Sequence, residues 1–547
     1  MRLLFISILL IMGLAGSLAC TPAQRLDGQE PAPPAAPRRG GVFHLPISGT
    51  NANLNPYSSG GSLANLNNTI YEPLVARDLK LGERWIESGK VAPWLAERWD
   101  QPDQNTYIFS LRKDVTWHDG KPFTAEDVLH TFNYLKENRG KVTDAARVSN
   151  VQSVVATDPY SVRVTTAKPN PDFLRDDMIE IEVIPKHLLQ EGKQLETSAI
   201  GTGAFRLKQF DKTAGWTVVS NDTYWRRGLP YLDGVAGHYM GDRGTMIAAF
   251  VAGEIDAMNP EDKVQFETVR GLKPDLKFDK FHGTYSNGLI FALDKPPYGD
   301  IRIRRAINLA VDRQDMVAKA SFGDGIINPP VSYGWRKGWA MPQEELLKLP
   351  GFNPATKQQD IAEAKRLLAE AGYPNGFQAE VNFSAASTNP GPIAQVLASQ
   401  LRPLGIALTL RPLDRASNAQ AELDGAYELR VEGENGQNRR NLLDRLHSKG
   451  LLNKRGLNDP ELDVLLERLV VEFNEDEAKR LHQQIQRRLY DQAYFISTFE
   501  RTAYTVYQPW VYDLLHNYGA NTVAYWTPPI VWMDGDQMPE KRRLEKP

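Results

Sequence analysis

At 547 residues the chain is too long for one hydrophobic core, and its length suggests about two to four domains. Its hydrophobic (41%) and charged (24%) fractions are those of an ordinary globular protein. Basic and acidic residues nearly cancel to a formal charge of -3, which gives no support to nucleic acid or an anionic membrane surface as a partner.

Met1-Arg2 precedes "LLFISILLIMGLAGSLAC", a basic start, a short apolar run and small residues before Cys20. That is the layout of a secretory signal peptide over residues 1–19 rather than a membrane span. Cys20 is the only cysteine, so no intramolecular disulfide can form. "SLAC" resembles the lipobox of bacterial lipoproteins, which implies lipidation of Cys20. Residues 20–39, rich in Pro and Ala and without apolar periodicity, read as an extended tether. No later apolar run is long enough to cross a bilayer.

Beyond the tether, Gly40–Ser48 reads as a first strand. Tyr107, Phe109 and Leu111 alternate as on a half-buried strand, and Ser161–Ala167 and Trp216–Asn221 are similar. In "VTWHDGKPFTAEDVLHTF", Val115 to Phe132, two histidines and three acids suggest a catalytic or metal centre. Local chemistry uses most of them otherwise. Asp119-Gly120 forms a hairpin turn, Thr124 and Asp127 form a capping box, and Phe123 and Val128 sit at hydrophobic-staple spacing. Glu126 favours the helix N-terminal dipole. His118 and His130 lie on different elements, have no HExxH relation and remain without a role.

Further on, Ile303, Ile307, Ala310 and Val311 share a helical face in "DIRIRRAINLAVDRQDMVAKA". The helix in "DIAEAKRLLAEAGYPNG" stops at Gly372 and Pro374. "PIAQVLASQLRPLGIALTL" predicts a helix and then a strand, and two amphipathic helices occupy "DPELDVLLERLVVEF" and "EDEAKRLHQQIQRRLYDQ". The "GTG" at Gly201–Gly203 lacks the third glycine of a dinucleotide loop, since Arg206 stands there. No Walker A sequence, HExxH, CxxC or GxSxG is present, which disfavours a hydrolase, a cofactor or a dedicated metal site.

"VAPWLAERWDQPDQNTYIFSLRKDVTWHDGKPFTAEDVLHTFNYL" resembles the signature region of family 5 extracellular solute-binding proteins, receptors of ABC importers for oligopeptides, dipeptides and nickel. "IYEPLVARD", "AIGTGAFRLKQF", "NDTYWRRGLPYLDGV", "FVAGEIDAM", "LDKPPYGDIRIRRAINLAVDRQDMV" and "LNDPELDVLLERL" follow the family's order from about Gly40 to Tyr512. The resemblance implies an α/β, bilobal periplasmic-binding-protein-like fold of type II, of the large class with an extra domain. Residues 40–79, 202–293 and 503–547 would form a discontinuous first lobe, with residues 80–201 as the extra domain attached to it. Residues 294–502 would form the second lobe, with crossings near Leu293 and Thr502 as the hinge.

It also implies no enzymatic activity and no cofactor. The protein would capture a peptide or peptide-like solute in the cleft and deliver it to an ABC permease and its ATPase subunits. It would be a monomer held outside the cytoplasm in the cell envelope by the lipid on Cys20. An oligosaccharide receptor or a sensory receptor on the same fold is the alternative.

In peptide-binding relatives an acidic residue after a "GW" meets the ligand's α-amine. Alignment on "NG" places Glu434 there, beside Asn435, while Val431 replaces the family's Trp. Arg439 and Arg440 stand where relatives are often acidic. They would favour a ligand carboxylate or phosphate, or else form a solvated loop. Asn55 and Tyr57 after the first strand, Tyr285 and Asn287 entering the hinge, and Trp335 beside Trp339 complete the candidate cleft residues.

Overall fold

The structure is a computed structural model that describes residues 36–47, 53–58, 64–78, 90–139, 141–282, 285–332, 338–385, 390–435, 438–514, 529–545 and 547. The signal peptide, Cys20, most of the tether and Trp335 lie outside the described residues. Among the described residues no helix is long and apolar enough to cross a membrane.

The first strand is Val42–Ile47. It pairs in parallel with Gly234–Tyr239, which continues antiparallel through Gly215–Ser220 to Phe205–Asp211. A separate antiparallel sheet runs Ala96–Asp103, Thr106–Leu111, Ser161–Thr166, Val151–Asp158. In Thr106–Leu111 the expected face is buried, with Tyr107, Phe109 and Leu111 against one apolar cluster shared by both sheets. The second lobe holds a mixed five-stranded sheet, ordered Ala407–Leu413, Gln378–Ser384, Leu429–Asn435, Tyr285–Phe291, Phe495–Ser497, with its own core. The helix Pro390–Leu401 leads into Ala407–Leu413, parallel to Gln378–Ser384, as the α/β unit predicts. Pro460–Leu469 and Glu475–Asp491 are both helices and share a smaller cluster.

One segment differs from its sequence pattern. The periodic run from Ile303 to Ala320 is two helices, Ile301–Ala310 and Arg313–Ala320, because Val311 is extended (φ -67, ψ 114) and Asp312 caps the second helix on Asp315 N–H.

The motifs around "WHDGKPF" converge on a buried carboxylate. Glu72 accepts four hydrogen bonds, from Trp94 Nε1 (2.8 Å), Tyr224 OH (2.7 Å), Thr202 Oγ1 (2.8 Å) and Trp225 Nε1 (3.0 Å). Burial raises its carboxyl pKa and those donors pull it back. Thr202 belongs to the "GTG" loop, which lies so close to the end of the helix Ala64–Ile70 that a Cβ on Gly201 would sit 1.8 Å from Ile70 O. His118 holds that loop from the other side. Its Nδ1 accepts from Gly201 N–H (3.3 Å), so Nε2–H donates to Gly203 O (3.0 Å).

The rest of "HDGKPFTAEDV" folds as its chemistry predicts. Gly120 turns with φ +84, Thr124 and Asp127 form the capping box, and Phe123 and Val128 are buried. A second buried carboxylate, Asp256, ties remote parts of the first lobe together. It accepts from His44 N–H (2.7 Å) and Trp510 Nε1 (2.8 Å) and pairs with Arg542 (2.6 Å).

Glu72→Gln replaces one acceptor oxygen by an amide, setting donors against donors. It should cost about 3 kcal/mol, read as a lower urea midpoint; an unchanged midpoint would show that the four bonds contribute no net stability. Burial lowers the His118 pKa from 6.5 to about 4, so the folded chain keeps it neutral while the unfolded chain protonates. Its contribution is therefore complete above pH 6.5 and is lost as pH falls toward 4, by up to about 1.4 kcal/mol per pH unit. His118→Asn should flatten the stability profile in that window, and parallel profiles for the two proteins would exclude this role.

Candidate ligand-binding site

One paired strand spans the lobes, and a second strand lies beside it in the second lobe's sheet. Phe499–Tyr507 pairs near its end with Lys277–His282 and Ala257–Met258, and at its start with Gly325–Ile327. Tyr285–Phe291 pairs along its length with Leu429–Asn435 and with Phe495–Ser497. The strand Phe499–Tyr507 is thus hydrogen-bonded on both sides of the boundary, and buried polar residues lie beside it.

Ser286 Oγ donates to Pro329 O (2.8 Å), Asn287 Nδ2 to Phe499 O (3.3 Å) and Ser332 Oγ to Glu500 Oε2 (3.0 Å). Thr498 donates through both N–H and Oγ1 to Asn287 O. Asn328 is fully buried, yet neither atom of its side-chain amide has a hydrogen-bond partner. A buried amide left unmatched costs about 1–3 kcal/mol, so it is tolerated where something else supplies the partner. Asn328 precedes two prolines in a segment without periodicity, and nothing in the sequence singles it out.

The other expected residues separate. The register sets Glu434 opposite Ser286 and Asn435 opposite Tyr285, at the end of the second lobe's sheet beside the crossing. Of Tyr285, Glu434 and Asn435 only the backbone is described. Asn287 is half-buried at the crossing. Asn55 spends its amide elsewhere, donating to Tyr134 OH (2.8 Å) and Glu196 Oε1 (3.0 Å) and accepting from Tyr57 N–H (3.0 Å). Tyr57 is buried, with its hydroxyl on Glu182 O. Both therefore fasten the loop after the first strand to the body of residues 90–201.

Arg439 and Arg440 have opposite fates. Arg440 is exposed and pairs with Asp444 (3.3 Å). Arg439 is 2% exposed and anchored in the second lobe by the carbonyls of Leu469 and Glu472, with its guanidinium 5.1 Å from the Trp339 ring. From there its Nε reaches Asp172 (3.2 Å), next to Phe173 in the first lobe's core. Among the described residues this is the only side-chain ion pair between the cores of the two lobes. Asp172 lies among acids: burial first, then Asp176 beside it, push Asp177 up to about 7. Arg175 pairs with Asp176 (2.8 Å) and lies 3.9 Å from Asp172, so it shares in neutralising the cluster.

Arg439→Gln should loosen closure. Removing Arg439 takes one cation away from a buried cluster of acids, and opening the cleft lets Asp172 rehydrate. Small-angle scattering should show a larger radius of gyration for this variant, with Arg440→Gln unchanged as control; identical curves for Arg439→Gln and the parent would remove the pair from closure.

Residues 90–441 match the family model described as "Bacterial extracellular solute-binding proteins, family 5 Middle". Heme-binding protein A of Haemophilus influenzae is 26% identical over 481 residues, covering 80% of this chain and 83% of that protein. Glutathione-binding protein GsiB of Salmonella paratyphi A is 24% identical over 381 residues, 68% of this chain and 69% of its own. The solved structure of the ABC transporter substrate binding protein CtaP of Listeria monocytogenes aligns with a TM-score of 0.77 at 21% identity, over 91% of this chain and 100% of that one.

Proposed function

The chain belongs to the family 5 bacterial extracellular solute-binding proteins, and from that premise we propose that it captures a peptide or peptide-like solute between its lobes and delivers it to an ABC permease. The observation that carries this reading is the cluster of buried polar groups beside the Phe499–Tyr507 strand, where the side-chain amide of Asn328 has no partner within the protein. A solute entering there would gain the hydrogen bonds that the closed protein leaves unmade. Ligand binding would then shift an open–closed equilibrium, with Arg439 and Asp172 meeting only on closure. No bond is broken in this cycle.

The lobes divide, in this reading, into residues 40–79, 202–293 and 503–547, with 80–201 attached, against 294–502, except that the strand Tyr285–Phe291 pairs within the second lobe's sheet. Asp256 supports that division, because it links residues 44, 510 and 542. A lipid on Cys20 would hold the protein to the outer face of a membrane through the 20–39 tether. A peptide-like ligand is supported by the glutathione-binding relative, glutathione being a tripeptide. Glu434 would meet the ligand's amine from the strand face it shares with Ser286, while Asn435, Tyr285 and Asn287 alternate onto the other face of the sheet.

A thermal-shift screen of peptide pools, oligosaccharides, hemin and metal chelates tests the solute class. A peptide at a hundredfold excess over its Kd should add about 2.7 kcal/mol of stability. If every peptide pool leaves the melting temperature unmoved while a sugar or hemin raises it, the class is wrong. Glu434→Gln should weaken a peptide with a free amine at least tenfold, and unchanged affinity would take Glu434 out of the site.

A further inference from the structure

A second concavity lies on the first lobe, away from the crossing strand. It is a cavity of about 380 Å³ lined by Arg77, Asp78, Val91, Ala92, Pro93, Trp94, Arg112, Trp225 and Arg226. Its floor is rigid, because both indole N–H groups are fixed on Glu72 and the two rings meet edge to face at 5.9 Å. A guanidinium covers each ring, Arg226 at 4.5 Å over Trp94 and Arg112 at 4.3 Å over Trp225. Arg112 is held further by Trp94 O (2.6 Å).

Arg77 is neutralised by Glu180 (2.7 Å). Among the described residues neither Arg112 nor Arg226 has a carboxylate within 4.0 Å. Nη1 of Arg226 is buried without a hydrogen-bond partner. Two guanidiniums without a carboxylate within 4.0 Å therefore edge the cavity, which Arg77 and Asp78 also line and whose remaining walls are Val91, Ala92, Pro93 and the two indoles.

We propose that this cavity is a second ligand site, separate from the interlobe cleft and selective for a small planar carboxylate attached to a ring or other apolar group. A guanidinium is planar, and one held over an indole presents an N–H edge that suits the two oxygens of a carboxylate. Val91, Ala92, Pro93 and the indoles supply the surface for an apolar body, and the volume falls in the range of small-molecule pockets. The site goes beyond solute capture and uses residues of one lobe alone, so it needs no closure.

Calorimetric titration of the full chain with indole-3-carboxylate tests it, with indole-3-carboxamide as the uncharged match. The carboxylate should bind, the amide at least tenfold more weakly, and Arg226→Gln and Arg112→Gln should each weaken the carboxylate at least tenfold. Glu434→Gln and Arg439→Gln should leave it unchanged, which keeps this site distinguishable from the cleft. No binding of the carboxylate, equal binding of acid and amide, or a loss caused by the Glu434 change would each overturn the proposal. If an arginine variant folds poorly, the acid-to-amide ratio on the unaltered protein decides alone.

Discussion

A carboxylate buried without a cation must be surrounded by donors, and Glu72 shows what that requirement does to a sequence. Its two oxygens accept from Trp94, Thr202, Tyr224 and Trp225, four residues from three segments up to about 150 positions away. Each donor is held in turn. Thr202 sits in a loop whose glycines press against the backbone of Ile70, and His118 clamps that loop from the far side. Losing one donor would expose a buried charge to an apolar neighbourhood, so the set stands or falls together. Asp256 acts similarly at the other end of the lobe, where Arg542 neutralises it directly. The two anions close a lobe whose segments are scattered through the chain.

This explains what could be read from the sequence. Periodicity identifies Thr106–Leu111 and Glu475–Asp491 because half-buried strands and amphipathic helices repeat every two or 3.6 residues. Turn and capping chemistry around Gly120 and Thr124 is equally local. Long-range pairings have no such period. That His118 faces Gly201 and Gly203, or that Asn55 turns to Tyr134 and Glu196, depends on folding that no window of residues contains. Arg439 makes the same point most sharply. Its neighbour Arg440 is chemically identical and solvated, yet Arg439 is buried across the lobes because it starts a helix, Arg439–Leu446, packed beside Trp339.

The cross-lobe pair is better understood as a register device than as a source of affinity. Two charges taken from water recover their hydration energy only when geometry is good, so the net gain of Arg439 meeting Asp172 is small. Misaligned closure, however, would leave both charges desolvated and apart, which is strongly unfavourable. The pair therefore narrows the set of closed geometries while leaving the energy of closing to the ligand. Such a division suits a receptor that must release what it binds.

The same reasoning separates family from ligand. The motifs that carry the resemblance, "IYEPL", "VAPW", "WHDG", "GTG" and "TYW", meet at Glu72 and His118, whose contacts all lie inside the first lobe. Changing any of these donors would leave one buried anion short of a partner, whatever solute is carried. A frame of this kind is compatible with relatives named for heme and for glutathione, since neither ligand needs to touch it. Under the proposed function, specificity would come from the buried polar residues beside the crossing strand, such as Asn328, Ser332 and Glu500, where local sequence rules impose little. The proposed interlobe site thus lies where the fold constrains the sequence least, and the most recognisable motifs hold the frame around Glu72.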